Sequence, residues 1–254
     1  MPIFDTHAHY DADRFDSDRD ELLSAMPGVG VGLVLDPGCD LPSSRAAAEL
    51  AERYPHVYAA VGVHPEDCDG FQDEDLTELR RLLERPKVVA IGEIGLDYYW
   101  KEVPRDLQKE VFRAQLQLAK VLDLPVIVHD REAHADCLAI VREFPGVRGV
   151  FHCYSGSAED AKTLVKLGWH LSFTGTITFK NARKAPEVIA AVPLERIMVE
   201  TDAPYMAPTP FRGKRCDSRY VYRMAETIAE IKGLTPAEVE QATTENGKAL
   251  FAIP

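Results

Sequence analysis

Two histidines one residue apart, His7 and His9, follow a short apolar run and stand between Asp5 and Asp11. In an extended strand, residues i and i+2 project to the same side. Both imidazoles can therefore address one point. Similar groups recur at the ends of later apolar runs: His64 in VYAAVGVHP (57–65), Glu93 and Asp97 in VVAIGEIGLD (88–97), and His129 in PVIVHD (125–130), followed by Arg131. His152 ends VRGVFHCYS (147–155) and Asp202 ends RIMVETDAP (196–204). Five of the eight histidines lie at such ends, with His134 just beyond the fifth run. Taken alone, His64 reads as a hydrogen-bonded structural residue. Glu93 is harder to explain that way. It lies among Ile91, Gly92, Ile94 and Gly95, where a carboxylate should be largely buried. Burying it unpaired costs roughly 2–7 kcal/mol or more. No Arg or Lys stands at matching depth in the runs, so a metal cation is the simpler partner.

Six ligands exceed one closed tetrahedral site. They suit two divalent ions sharing a carboxylate bridge, and Glu93 is the carboxylate placed centrally in chain order. His7, His9, Glu93 and Asp202 would hold one ion; Glu93, His129 and His152 would hold the other. The mixed imidazole and carboxylate set accepts Mg, Mn or Zn. Cys153 neighbours His152, but strand alternation points it to the other face.

These side chains need a frame that gathers strand ends. Eight short runs rich in Val, Ile and Phe (2–7, 31–38, 57–65, 88–97, 125–130, 147–155, 169–175, 196–204) alternate with amphipathic stretches. The clearest stretch is 104–122, with Pro104 suited to a first helical position and Leu107, Val111, Ala114 and Leu118 on one face. Ser157 and Gly168 cap another at 157–168, and two more cover about 216–231 and 235–250. Eight strand–helix units predict an α/β (β/α)8 TIM barrel, with a doubly wound sheet as the competing architecture. Strand C-termini converge on one face of such a barrel, and that face carries the chemistry. No linker divides the chain, so one domain over 1–254 is expected. Five cysteines without a CxxC pair, no signal-like N-terminus and no run of about 20 apolar residues predict reduced thiols, a cytoplasmic location and no membrane association. No long apolar surface stripe stands out, so a monomer is expected.

The net charge of −12 argues against nucleic-acid binding by the bulk surface. Contact with a polyanion must then come from bound metal or a local patch. FRGKRCDSRY (211–220) offers one, and Lys214 and Arg215 are the candidates for gripping phosphate. Arg219 reads as a solvated surface charge. Tyr98, Tyr99 and Trp100 could stack on a base or simply pack loops together. The acidic stretch 66–78 would repel a long duplex on its side, which favours single strands or ends.

FDTHAHYD, GVHP, AIGEIGLDYY, PVIVHDREAH, FHCYSGS, FTGTITFK, VETDAPYMAP, RGKR and TTENGKALF occur in that order. Together they resemble the TatD-family metal-dependent hydrolases, in the amidohydrolase-like group of barrels, over about residues 3–251. The resemblance implies two divalent metal ions and cleavage of phosphodiester bonds in DNA, as a deoxyribonuclease. It places His7, His9, Glu93, His129, His152 and Asp202 at metal and catalytic positions. His64, Arg131, Lys214 and Arg215 fall around the substrate. Tyr154 and Ala249 depart from the family pattern, at the rim and the wall. In this reading a metal-activated water attacks phosphorus and Asp202 takes its proton. Two alternatives stay open. One is hydrolysis of an amide, ester or lactone; the other is a catalytically idle metal-binding scaffold.

Overall fold

The computed structural model describes residues 2–254. Eight parallel strands follow one another in chain order: β1 (Ile3–Asp5), β2 (Val31–Pro37), β3 (Val57–Val61), β4 (Val88–Asp97), β5 (Val126–Arg131), β6 (Gly149–Phe151), β7 (His170–Phe173) and β8 (Ile197–Val199). Helices lie between them: α1 (Arg19–Ala25), α2 (Leu41–Arg53), α3 (Asp73–Leu83), α4 (Arg105–Leu122), α5 (His134–Glu143), α6 (Ala158–Lys166) and α7 (Lys184–Ala191). Two more, α8 (Tyr222–Lys232) and α9 (Pro236–Leu250), follow β8. This is the predicted (β/α)8 barrel, nearly closed, and the doubly wound alternative falls away because strand order never reverses.

β1 and β8 meet at a seam looser than a full ladder. Thr6 donates through N–H and Oγ1 to the Val199 carbonyl at 3.2 and 3.0 Å. Nearer the mouth, Asp202 N donates to His7 O (2.9 Å) and His9 N to Ala203 O (2.7 Å). Beneath them the buried Asp5 carboxylate accepts from Thr201 N and Oγ1. The seam thus carries the HxH pair and Asp202 together.

The apolar core has two parts. The larger packs the helices onto the outside of the strands. The smaller gathers Phe4, Leu35, Ala60, Ala90, Ile127, Val150 and Met198, which fill the barrel interior together with Leu250, Phe251 and Ile253 from the C-terminus. Phe4 and Phe251 meet edge to face with centroids 6.3 Å apart.

Helix starts depart from expectation in two places. Pro104 is extended (φ −60°, ψ 135°) and precedes α4 instead of opening it. The stretch expected from about 216 first makes a short 3-10 turn at Ser218–Tyr220, where the Asp217 side chain accepts from Arg219 N, and α8 begins at Tyr222.

The β4–β5 pairing shifts register between Ile91 and Ile94, the interval that contains Glu93. Glycines allow it. A Cβ on Gly62 would lie 2.9 Å from the Gly92 carbonyl carbon. Gly95 has φ +145°, and a Cβ there would overlap the His129 carbonyl oxygen. Gly95→Ala should therefore destabilise the protein by about 3 kcal/mol or more, from strain and overpacking together. Thermal unfolding should show a fall of roughly 6–12 °C or more for a chain of this size.

Candidate metal centre

Every ligand predicted from the sequence reaches one place. The two carboxylate oxygens of Glu93 face two different groups of imidazoles. Oε2 lies 3.1 Å from His7 Nε2 and 3.5 Å from His9 Nε2. Those two nitrogens are themselves 3.1 Å apart. Asp202 Oδ1 completes the first group, 3.8 Å from His7 and 3.6 Å from His9. Oε1 lies 2.7 Å from both His129 Nδ1 and His152 Nε2, which stand 3.1 Å from each other. Donors around a tetrahedral cation about 2.0–2.2 Å away are separated by roughly 3.3–3.6 Å, so both groups are close to ligand spacing.

The surrounding bonds decide which nitrogens face inward. His9 Nδ1 donates to the Pro37 carbonyl at 3.1 Å, which turns Nε2 toward Glu93. His129 Nε2 donates to Asp97 Oδ2 at 2.9 Å, leaving Nδ1 toward Glu93. His152 Nδ1 lies 3.5 Å from Glu200 Oε1. Glu200 is held in turn by Cys153 N (2.6 Å) and Ser172 Oγ (2.5 Å). The inward nitrogens gather on Glu93 as proton donors, with His129 Nδ1 donating to Oε1 at 2.7 Å, and divalent cations would take the place of those protons. Carboxylates behind ligating imidazoles are the usual means of fixing ring orientation and basicity. Asp97 fills that role for His129 and Glu200 for His152. In the sequence both appear only as extra acids near run ends, without a sign of their partners.

The titration behaviour agrees with a cation site. Burial pushes the Glu93 carboxyl up, but the imidazoles of His152 and His7 reverse this and hold it well below the ordinary range. Burial pushes His152 down, but Glu93 and Glu200 raise it well above 6.5. Burial likewise pulls His129 down, and Asp97 and Glu93 outweigh it, so that imidazole is raised too.

His64 differs. Its Nδ1 accepts from Glu66 N at 3.2 Å, so Nε2 carries the proton and points at Glu93 Oε1, 3.5 Å away. Burial and the neighbouring His129 lower its pKa to about 3, so it is neutral. It is a hydrogen-bond donor at the ring's edge.

The ring opens into a cavity of about 1030 Å³. His64, Arg131, Trp100, Tyr205 and Met206 line it. Arg131 lies over the Tyr99 ring at 4.0 Å. Three predicted substrate residues lie elsewhere. Tyr98 is buried, donates to Asp136 Oδ2 at 2.5 Å and stacks under Arg105. Arg215 forks onto Asp18 (2.8 and 2.5 Å) and covers the Phe15 ring. Lys214 is exposed and outside the cavity wall. Cys153 is the opposite correction: its left-handed backbone (φ 44°) breaks strand alternation, and the residue lines the cavity. Cys39 lines it too, with Sγ 3.9 Å from His9 Nδ1. His134 pairs with Asp130 at 2.8 Å and takes no part in the ring.

Replacing Asp97 by Asn should weaken metal binding about 10–100-fold, read by competitive titration with a chromophoric chelator. Protons compete for the same imidazoles. Because His129 and His152 are raised in the folded protein, their charged forms persist above pH 6.5. Apparent metal affinity should therefore climb from pH 6 to pH 8, by up to about tenfold per pH unit for each proton displaced. A flat profile would show that these imidazoles bind no metal.

A family model described as TatD related DNase matches residues 4–252. The chain is 46% identical over 253 residues to an uncharacterized metal-dependent hydrolase, YabD, of Bacillus subtilis (strain 168), covering 99% of each. It is 34% identical over 261 residues to the 3'-5' ssDNA/RNA exonuclease TatD of Cronobacter sakazakii, covering 98% of this chain and 97% of the relative. The crystal structure of YjjV, a TatD homolog from Escherichia coli K12, superposes with a TM-score of 0.93 at 35% identity. It covers 100% of this chain and 99% of that one.

Proposed function

The chain belongs to the TatD-related DNase family of metal-dependent hydrolases, and from that footing we propose that it is a two-metal phosphodiesterase acting on DNA, at single strands or ends. The observation that carries the reading is the division of Glu93: one oxygen faces His7 and His9, the other His129 and His152. His7, His9, Asp202 and Glu93 Oε2 would hold one divalent ion, and His129, His152 and Glu93 Oε1 the second. Mg, Mn and Zn all suit these donors.

Divalent cations, once held by these residues, would supply Lewis acidity, drawing the pKa of water toward about 7 and neutralising phosphate charge. Asp202 lines the cavity as well as facing the ring. It accepts the proton of the attacking water. Burial pushes its carboxyl up, but His9, His7 and His152 hold it below the ordinary value, so it is ionised and ready to accept. His64 Nε2–H donates to a phosphoryl oxygen. A neutral donor stabilises developing negative charge without adding a cation that would repel the metals. Arg131, over the Tyr99 ring, meets the substrate at the cavity edge, and Trp100 offers a face on which an unpaired base can stack.

Several features support phosphodiesters over acyl substrates. The bridging position is a glutamate, and cations stand at the cavity wall. Relatives named 3'-5' ssDNA/RNA exonuclease lie within the same family. No helix among the described residues is long and apolar enough to cross a membrane.

The test is a panel of single- and double-stranded oligonucleotides, aryl phosphodiesters, esters, amides and lactones, each with Mg, Mn or Zn. Release of mononucleotides from single strands is expected, and a preference for acyl substrates would overturn the reading. Asp202→Asn should keep metal while kcat falls about 10²–10⁴-fold. A variant with normal kcat would remove Asp202 as the base.

A further inference from the structure

Charge is unevenly divided around the cavity. Glu66 and Asp67, just after β3, line one part of the wall. Arg131, Arg183 and Lys184 also line it, the last two at the start of α7. Other cations are paired, Arg215 with Asp18, Arg219 with Asp217 and Arg223 with Glu226, while Arg14 and Arg212 lie over the Tyr205 and Phe179 rings and do not themselves line the cavity. Among the described residues, none of Arg131, Arg183 and Lys184 forms such a pair.

Three unpaired cations facing one cavity repel each other and attract an anion, and this in a chain of net charge −12. They stand apart from the ring, since none hydrogen-bonds to its donors. Arg131 is held by stacking at 4.0 Å from the Tyr99 ring centroid and 5.9 Å from that of Trp100, so its guanidinium is oriented without using its N–H groups on a carboxylate. Arg183 and Lys184 are exposed, with their charged ends free to move onto a ligand. Guanidinium forks match phosphate oxygens in pairs, and an ammonium adds a point charge.

Resting on the phosphodiesterase reading, we infer that Arg131, Arg183 and Lys184 form a second phosphate subsite, for a substrate phosphate other than the one that reacts. The substrate is then a nucleic-acid end or short oligonucleotide with at least two phosphates. Glu66 and Asp67 repel the backbone from their own part of the wall. The run 211–220 plays no part, because Arg215 is already paired and Lys214 stands outside the cavity wall.

The test compares the metal-loaded full chain with its Arg183→Ala/Lys184→Ala double variant. Binding of a fluorescein-labelled, phosphorothioate-linked tetrathymidylate is followed by anisotropy at several salt concentrations. Kd should rise at least tenfold, and the slope of log Kd against log salt should shrink by about 0.7 for each phosphate that is no longer neutralised. In parallel, the ratio of kcat/KM for 5′-phosphorylated dithymidylate over bis(4-nitrophenyl) phosphate should fall at least tenfold. Arg183→Lys/Lys184→Arg, which keeps the charges, should recover most of both losses. Binding and ratio within twofold of wild type would overturn the subsite, as would an equal loss produced by Lys214→Ala alone. Weakened binding by the double variant, with no phosphodiester turnover by the wild type, would keep the subsite and sink the phosphodiesterase. Turnover with undiminished binding would do the reverse.

Discussion

The structure is organised around one carboxylate placed between two sets of imidazoles. Glu93 is almost fully buried, and neither oxygen meets a lysine or arginine. A charge in that position is tolerated only if the surroundings supply opposite charge at short range. Everything near it follows from that need. Four imidazoles present nitrogen at about the spacing of ligands on a common cation. The far sides of His9 and His129 donate to Pro37 and Asp97, and that of His152 faces Glu200 at 3.5 Å, so their other nitrogens stay aimed inward. Remove the central acid and the imidazoles would face one another with nothing to divide them.

The barrel makes the convergence possible. Each donor comes from a different strand end or from the β1–β8 seam, so none could be replaced by a residue local to another. Rigidity comes from below, where side chains from seven strands fill the interior and the C-terminal Phe251 packs against Phe4. The mouth is looser in composition. Loops there carry Trp100, Tyr205 and Met206 in partly exposed positions, and the cavity they surround is large enough for more than a single small group. A stiff floor with a variable rim is the ordinary division of labour in this architecture.

The metal ligands are legible in the sequence because two simple regularities coincide: alternation along a strand, and polar residues at the ends of apolar runs. His7 and His9 need only the first, and Glu93, His129 and His152 the second. The outer layer is much less legible. Asp97 acts through His129, 32 positions away, and nothing in the local sequence pairs them. Arg215 looks free within its basic run, yet Asp18, 197 residues earlier, neutralises it. Tyr98 and Trp100 are two residues apart and read alike, but one turns into the wall toward Asp136 and the other lines the cavity. Cys153 defeats alternation through a single left-handed residue. Meanwhile a denser basic run draws the eye away from Arg183 and Lys184. Charge density along a chain is a poor guide to free charge in space, because long-range ion pairs decide which cations remain available.

The seam between the first and last strands carries a consequence for biosynthesis. Asp202 is synthesised 195 residues after His7, with the Ala203 backbone that receives His9 directly behind it. A nascent or prematurely terminated chain cannot assemble the first donor group, however much of the barrel it has begun to form. Cation capture at that group thus waits for the closing strand, and a bound ion then favours the closed barrel over any product that stops short of it. The same coordination that readies the molecule for chemistry would favour the closed barrel over one whose last strand is missing.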